Sequence, residues 1–226
     1  MPMAPDAETE ITGYNWVPPF AAGFVRDLRA RWFCEEADLP YRVRLISVID
    51  KPADLRSEQP FGQVPVLCDG DVHLFESGAM LIHLAEKTGR LLPNGGQGRA
   101  DVLSWLFAAL NSVEPVQMEL SNIDMFNAEE EWARLRRPEA AKNLDRRHRS
   151  LAHALGDRDW LAGDFSIADI AMISVLRSSE AMDTLRNHPK LVAYLERGTD
   201  RPAFRRALAD QLAGFDDCHA PRMENA

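Results

Sequence analysis

A segment near residue 90 divides the sequence into two parts with different hydrophobic periodicity. The stretch RLLPNGGQG at 90–98 contains one proline and three glycines and interrupts every regular pattern. Upstream of it, the period-2 alternation of strands is mixed with helical spacing, whereas only helical spacing is found downstream. The sequence therefore predicts two domains, an α/β domain over residues 10–89 and an all-helical domain over residues 99–214.

The pattern of the first domain predicts the order β-α-β followed by β-β-α. EITGYNW predicts the first strand, GFVRDLRARWFCEEA a helix carrying an Asp27–Arg31 pair at i,i+4, and YRVRLISV the second strand. KPADLRSEQ predicts a short helix or turn. Asp69 and Gly70 then predict a hairpin between two further strands. ESGAMLIHLAEKTG follows as a helix that Gly89 ends.

The second domain contains a recognisable helix start within FSIADIAM. Ser166 and Asp169 have the spacing of a capping box, in which the first side chain caps the helix and the second reaches back to the preceding backbone. We assign this pair to folding rather than to chemistry.

Charge and chain composition exclude several classes of protein. The formal net charge of -9 argues against a nucleic-acid surface, which requires clustered cations. The N-terminus is unlike a signal peptide, and no apolar run reaches the roughly 18 residues that span a bilayer. We therefore expect no membrane partner and a cytoplasmic location, with fraying over residues 1–9 and from about 215 to 226.

The three cysteines offer no obvious site. Cys34, Cys68 and Cys218 form no CxxC pair, and no histidine stands at the usual metal-ligand spacing, so we predict neither a disulfide framework nor a metal site. Cys34 lies about three turns into the first helix and is predicted to be a buried structural thiol.

Two motifs indicate a binding site for an extended, zwitterionic ligand. In GQVPVL, a cis bond between Val64 and Pro65 would direct the Val64 N–H and C=O into a cleft, where a peptide could pair with them. The alternative is an edge-strand proline with nothing bound. In ESGA, Ser77 and the first turn of a helix suit a carboxylate and Glu76 suits an ammonium group, although Ser77 could simply cap the helix.

In their order and spacing, these pieces resemble the glutathione transferase family, bacterial cytosolic type. RARWFCEEADLPYRVRLI and FSIADIAM extend the resemblance, which covers residues 10 to about 212. It implies a thioredoxin-like N-terminal domain, an all-helical C-terminal domain, glutathione as co-substrate, a small-molecule electrophile and a homodimer.

The resemblance also assigns roles to individual residues. It implies that Val64 pairs through its backbone with the cysteinyl unit of glutathione, beside cis-Pro65, and that Glu76 and Ser77 hold the γ-glutamyl end.

Two further positions commonly reach the glycine carboxylate of glutathione in this family. Lys51 would supply a point charge there and Gln63 an amide donor. For Lys51, an exposed loop lysine is the alternative.

The family makes the thiol of glutathione a thiolate, usually with a Tyr, Ser or Cys near the first turn. Here the usual serine position falls on Val17 or on Phe24, depending on the direction of counting, and neither side chain can donate. The remaining donors are Tyr14, Asn15, the Trp16 indole and the backbone N–H groups of residues 20–23. We expect Tyr14 or Asn15 to stabilise the thiolate.

The leading functional prediction is a transferase that conjugates glutathione to small hydrophobic electrophiles. Two alternatives stay open: a glutathione-dependent disulfide or peroxide reductase, and a glutathione-binding scaffold that has lost the chemistry. Function does not follow from the fold, and the unusual first turn separates the three poorly.

Overall fold

The structure is a computed structural model that describes residues 2–180 and 184–221. Contacts within the chain define two compact units: Met1–Arg90 together with the segment that begins at Arg201, and Leu91–Asp200. The domain boundaries 10–89 and 99–214 stay a prediction. The compact units differ from them at the C-terminus, where the helix Pro202–Ala213 packs along the helix Asp27–Ala37 of the first unit.

A mixed sheet forms the centre of the first unit. Its strands, in the residues described, are β1 (Thr9–Tyr14), β2 (Tyr41–Ile46), β3 (Val66–Asp69) and β4 (Val72–Phe75), in the order β2-β1-β3-β4. Strand β1 runs parallel to β2 and antiparallel to β3, and β3 pairs with β4 in a hairpin. The helices between them are α1 (Asp27–Ala37), α2 (Leu55–Glu58) and α3 (Ser77–Thr88). This confirms the predicted thioredoxin-like βαβ-ββα order.

Helix α1 begins four residues later than the sequence pattern predicts. A 3-10 turn over Pro19–Ala21 precedes it, and Gly23 adopts a positive φ of 82° that a helix cannot accommodate. The lengthened turn therefore extends to Arg26, and the helix starts at Asp27.

Both chain ends are partly held, contrary to the expected fraying. The backbone of Tyr41 accepts a bond from Ala4 at 2.8 Å and donates one to Pro2 at 2.8 Å, beside β2. At the other end, the Asp216 N–H donates to the Asn15 carbonyl at 2.9 Å. Met1 and residues 222–226 lie outside the described residues.

The second unit is helical, as predicted. Its helices are α4 (Gly96–Phe107), α5 (Glu114–Phe126), α6 (Glu131–Leu155), α7 (Ile167–Glu180) and α8 (Pro189–Thr199), and the C-terminal helix of the first unit is α9 (Pro202–Ala213). Helix α4 begins inside the predicted linker. Among the residues described, every helix is too short or too polar to span a bilayer.

A π-helical segment, Ala108–Val113, joins α4 to α5 without a loop. Pro115 is the second residue of α5, and a proline inside a helix cannot donate to the carbonyl four residues earlier and clashes with it. The wider π turn relieves this conflict at Asn111, so the helical rod continues through the proline.

Helix α7 is the core of the second unit. Every residue from 167 to 176 is buried except Ser174, and Asp169 is fully buried among them. Its carboxylate accepts bonds from the Leu161 N–H (3.0 Å), the Tyr194 hydroxyl (2.8 Å), and the N–H and hydroxyl of Ser166 (2.9 and 3.0 Å). Asp169 thus reaches back as the capping box predicts, while the Ser166 hydroxyl donates to the same carboxylate.

Replacing Asp169 should destabilise the protein strongly. Asp169→Ala leaves four buried donors without their acceptor, so we expect a loss of about 3–5 kcal/mol in the free energy of unfolding. Urea unfolding followed by circular dichroism measures it. The control is Asp164→Ala, because Asp164 is exposed on the same loop and should change stability by less than about 0.5 kcal/mol. Equal losses in the two variants would contradict the assignment.

Candidate functional site

The candidate residues converge at one end of the sheet in the first unit. Val66, the first residue of β3, pairs with Phe75, the last residue of β4. Pro65 and Glu76 therefore flank the same rung of the hairpin, which brings the two sequence motifs together. Tyr14, at the end of β1, packs against the apolar cluster that contains Val64 and Val66.

The predicted cis bond between Val64 and Pro65 is confirmed. Val64 is buried and packs in the cluster with Ile46 and Leu55, so its side chain is not available to a ligand. The Val64 N–H lies near the Tyr14 hydroxyl and lowers its pKa. The backbone group assigned to ligand pairing therefore already has a phenol beside it.

Tyr14 is a half-buried proton donor. Burial raises the pKa of its hydroxyl, the nearby Asp27 carboxylate raises it further, and the Val64 backbone N–H only partly opposes them. The ammonium of Lys51 lies 5.9 Å from the centre of the Tyr14 ring. The phenol accordingly keeps its proton at neutral pH and can donate it to an anion.

Asn15 continues the backbone pairing of β1 with Ile46, its N–H donating to the Ile46 carbonyl at 3.0 Å. Its side-chain Oδ1 is buried and has no hydrogen-bond partner among the described residues. A buried carbonyl oxygen without a partner is costly, so Oδ1 is suited to accept a bond from an N–H or O–H group of a ligand or from a bound water.

Some backbone N–H groups of the first turn already have hydrogen-bond partners. The N–H groups of Ala21 and Ala22 donate to the carbonyls of Pro18 (2.8 Å) and Pro19 (3.3 Å) within the 3-10 turn. This weakens the backbone alternative and leaves Tyr14 and Asn15 as the stronger candidates.

The loop before Val64 is held by a buried glutamine. Gln59 Oε1 accepts bonds from the N–H of Phe61 at 2.6 Å and of Gln63 at 3.2 Å. Lys51 is exposed, as its alternative predicted, yet its Nζ donates to the Gly62 carbonyl at 2.8 Å. Lys51 therefore lies beside Gln63, whose side chain is exposed.

Ser77 is the first residue of α3, and Glu76 before it occupies the cap position. The Glu76 backbone has a positive φ of 73°, and its exposed side chain makes no capping bond. Ser77 is buried, and its hydroxyl accepts a bond from Arg29 Nη1 at 3.0 Å. The hydroxyl proton is thereby left to donate to an anion at the helix start.

Arg29 is the residue at this site that sequence reasoning missed. It lies on α1, is 4% exposed, and places a guanidinium beneath the N-terminus of α3. A buried cation and a helix N-terminus both attract an anion. The helical spacing could have revealed that Arg29 is buried, because it stands four residues after Val25 and three before Trp32, on the apolar face of α1.

A buried network supports the end of β1. The Asp27 carboxylate accepts bonds from Arg31 Nε at 2.7 Å and from Gln211 Nε2 at 2.6 Å, and Gln211 Nε2 also reaches the Val25 carbonyl at 3.0 Å. Burial raises the pKa of Asp27, an effect that the Arg31 charge opposes. A side chain at Gly13 would place its Cβ 2.9 Å from Asp27 Oδ2, so the glycine permits the close approach.

Cys34 is fully buried, as predicted. Burial, together with the charge of Glu35, raises the pKa of its thiol far above the ordinary value. A thiol in this state is not a nucleophile at neutral pH.

Two family models match the chain. The model described as glutathione S-transferase, N-terminal domain, matches residues 28–92, and the model described as glutathione S-transferase, C-terminal domain, matches residues 116–211.

Individual relatives and solved structures agree with these models. The disulfide-bond oxidoreductase YfcG of Escherichia coli (strain K12) is 32% identical over 199 residues, which cover 80% of this chain and 89% of that protein. A glutathione transferase from Burkholderia graminis, solved with two glutathione molecules bound per subunit, is 26% identical with a TM-score of 0.79 and covers 89% of this chain and 87% of that one. A glutathione transferase family member from Pseudomonas fluorescens Pf-5, solved with two glutathione bound, is 24% identical with a TM-score of 0.80. The match covers 91% of this chain and 94% of that one.

Adding a methyl group at Gly13 should disturb the network behind the site. The new Cβ of Gly13→Ala would meet Asp27 Oδ2 at 2.9 Å and Arg31 Nη2 at 3.0 Å, so we expect a loss of about 1–3 kcal/mol in unfolding free energy. Thermal and urea unfolding measure it.

Gly98→Ala is the matched control, for which we expect a gain in stability instead of a loss. Gly98 lies within α4 and its Cβ would make ordinary contacts with Pro93 at 3.4 Å, so alanine should stabilise the helix by roughly 0.5–1 kcal/mol. Unchanged stability in Gly13→Ala would contradict the proposed close approach.

Proposed function

The chain belongs to the glutathione S-transferase family, and we propose that it binds glutathione at this site and uses the glutathione thiolate as a nucleophile. The observation that carries the proposal is the packing of Tyr14 against the cluster that contains Val64, with its hydroxyl near the Val64 N–H. The backbone group expected to pair with the cysteinyl unit and a protonated donor for its sulfur lie together.

The charges of the site match those of glutathione. Its γ-glutamyl carboxylate would lie at the start of α3, with the Ser77 hydroxyl as donor and the Arg29 cation behind it, while Glu76 faces the ammonium group. The glycine carboxylate would lie near Lys51 and Gln63 at the other end. Val64 would pair with the cysteinyl backbone between them.

Tyr14 then acts on the sulfur. When the cysteinyl unit pairs with Val64, its sulfur would lie near the phenol, whose hydroxyl can donate to the thiolate. Lowering a thiol pKa from about 8.5 by two units requires roughly 2.7 kcal/mol of preferential stabilisation. One or two bonds to an anion, at about 1.5–3 kcal/mol each, supply it, and Asn15 is the second candidate donor.

The first candidate reaction is conjugation to a small hydrophobic electrophile. The thiolate attacks an electrophilic carbon, a C–S bond forms, and the bond to the leaving group breaks with its electron pair. This reaction needs only the thiolate of glutathione and no thiol from the protein. The candidate donors Tyr14 and Asn15 agree with this requirement, because neither is a cysteine.

The second candidate is glutathione-dependent disulfide reduction, which the similarity to the Escherichia coli oxidoreductase favours. The thiolate attacks one disulfide sulfur and releases the other as a thiol; a second glutathione then resolves the mixed disulfide and leaves as glutathione disulfide. The two glutathione molecules in the Burkholderia graminis structure agree with this stoichiometry. Peroxide reduction would consume the same two glutathione molecules.

We also propose that the protein is a homodimer and that it is cytoplasmic, as the family resemblance implies. Light scattering should give twice the mass of one chain, and a monomer at micromolar concentration would exclude the dimer.

Glutathione binding depends on Ser77. Ser77→Ala removes the hydroxyl that Arg29 orients, so we expect roughly tenfold weaker binding of glutathione by calorimetry, the effect of about 1.4 kcal/mol. Ser104→Ala is the control, because Ser104 is an exposed serine on α4. No binding of glutathione by the unaltered protein would refute the whole proposal.

Thiolate stabilisation depends on Tyr14 or Asn15. Tyr14→Phe should raise the pKa of bound glutathione by about one to two units and lower kcat/KM by roughly ten- to a hundredfold, since one unit corresponds to 1.36 kcal/mol. Titrating the thiolate absorbance measures the pKa. If Tyr14→Phe has no effect and Asn15→Ala produces the shift, Asn15 is the donor. Unchanged values in both variants would rule out either residue.

The two reactions are separated by assaying them side by side. Aryl-halide conjugation with glutathione tests the first candidate, and reduction of a glutathione-capped disulfide tests the second. Whichever activity is lost in the thiolate-donor variant is the activity of this site. Glutathione binding with neither activity would instead indicate the scaffold.

A further inference from the structure

The C-terminal turn brings three different metal-binding groups together. A carboxylate oxygen of Asp216, the Sγ of Cys218 and a ring nitrogen of His219 all lie within 4.8 Å of one another. We call these residues the C-terminal triad. All three are exposed, so an ion from solution can reach them.

The backbone holds the triad in place before any ion arrives. Residues Asp217–His219 form a single 3-10 turn, in which the His219 N–H donates to the Asp216 carbonyl at 3.0 Å. The Cys218 N–H donates to Asp216 Oδ1 at 2.8 Å. The turn is anchored to the sheet by the bond from the Asp216 N–H to the Asn15 carbonyl.

We propose that the C-terminal triad binds one divalent cation of the Zn²⁺ type. A thiolate, an imidazole nitrogen and a carboxylate oxygen form the mixed S, N and O set that suits zinc, whereas Mg²⁺ and Ca²⁺ prefer oxygen alone. The Cys218 thiol releases its proton to solvent as the metal–sulfur bond forms. Three protein ligands leave a fourth position for water or another thiol.

The β3–β4 hairpin offers a weaker candidate for a metal site. Cys68 Sγ lies 3.2 Å from His73 Nδ1 on the β3–β4 hairpin, which supplies two donors rather than three. Cys34 is buried and cannot reach an ion without unfolding. The sequence pattern did not reveal the C-terminal triad because its ligands are local, at positions i, i+2 and i+3, without a CxxC pair.

Cobalt provides the direct test, because Co²⁺ bound to a thiolate gives a sulfur-to-metal charge-transfer band. The full chain, kept reduced by a phosphine and free of glutathione and chelators, is titrated with CoCl₂ and then with ZnCl₂. We expect one equivalent of Co²⁺ to produce the band and Zn²⁺ to abolish it by displacement. Because glutathione is absent, the result is independent of the proposed function.

Matched variants assign the ligands. Cys218→Ser should remove the charge-transfer band, and Asp216→Asn and His219→Asn should each weaken binding by roughly tenfold or more, since loss of even an outer-shell partner typically has that effect. Asp217→Asn makes the same charge change one residue away, and Cys68→Ser removes the other accessible thiol. Both controls should keep the band and the affinity.

Several results would overturn the proposal. One is the absence of a charge-transfer band at one equivalent of Co²⁺. Another is a band that survives Cys218→Ser or disappears in Cys68→Ser, which would assign the ion to the hairpin. Equal weakening by Asp217→Asn and Asp216→Asn would show attraction to general negative charge instead of coordination.

Discussion

The buried carboxylate of Asp27 connects three parts of the first unit that are far apart in sequence. It accepts bonds from Arg31 on its own helix and from Gln211 on α9, and it lies against Gly13 of β1. Burying a charge is costly unless it is paired and hydrogen-bonded, and removing one partner of such a pair typically costs about 3–5 kcal/mol. The end of the sheet that carries Tyr14 is therefore held in place by buried groups on α1 and α9.

That arrangement bears directly on Tyr14, the proposed thiolate donor. Tyr14 ends β1 one residue after Gly13, and the Asp27 charge helps to keep its phenol protonated. The same phenol lies near the Val64 N–H. The buried Asp27 network, the proposed donor Tyr14 and the Val64 backbone thus lie in sequence from the interior of the first unit to the proposed glutathione position.

The features predicted from sequence are those encoded by neighbouring residues. The order of strands and helices, the cis bond before Pro65, and the return of Asp169 to Ser166 depend on local patterns. The Arg29–Ser77 and Asp27–Gln211 bonds join residues 48 and 184 positions apart, and no local pattern specifies such partners. The late start of α1 was missed because helical spacing continues through Gly23, whose positive φ only the turn requires.

The burial of Cys34 has a consequence for how this protein would withstand oxidative stress. With its first-helix thiol inaccessible, the proposed reaction uses a sulfur that arrives with glutathione and departs with the product. A catalytic cysteine oxidised to the sulfonic acid disables the enzyme that carries it, whereas oxidised glutathione simply dissociates and is replaced. The catalyst would then keep its capacity under oxidants, with its rate limited by the supply of reduced glutathione in its surroundings.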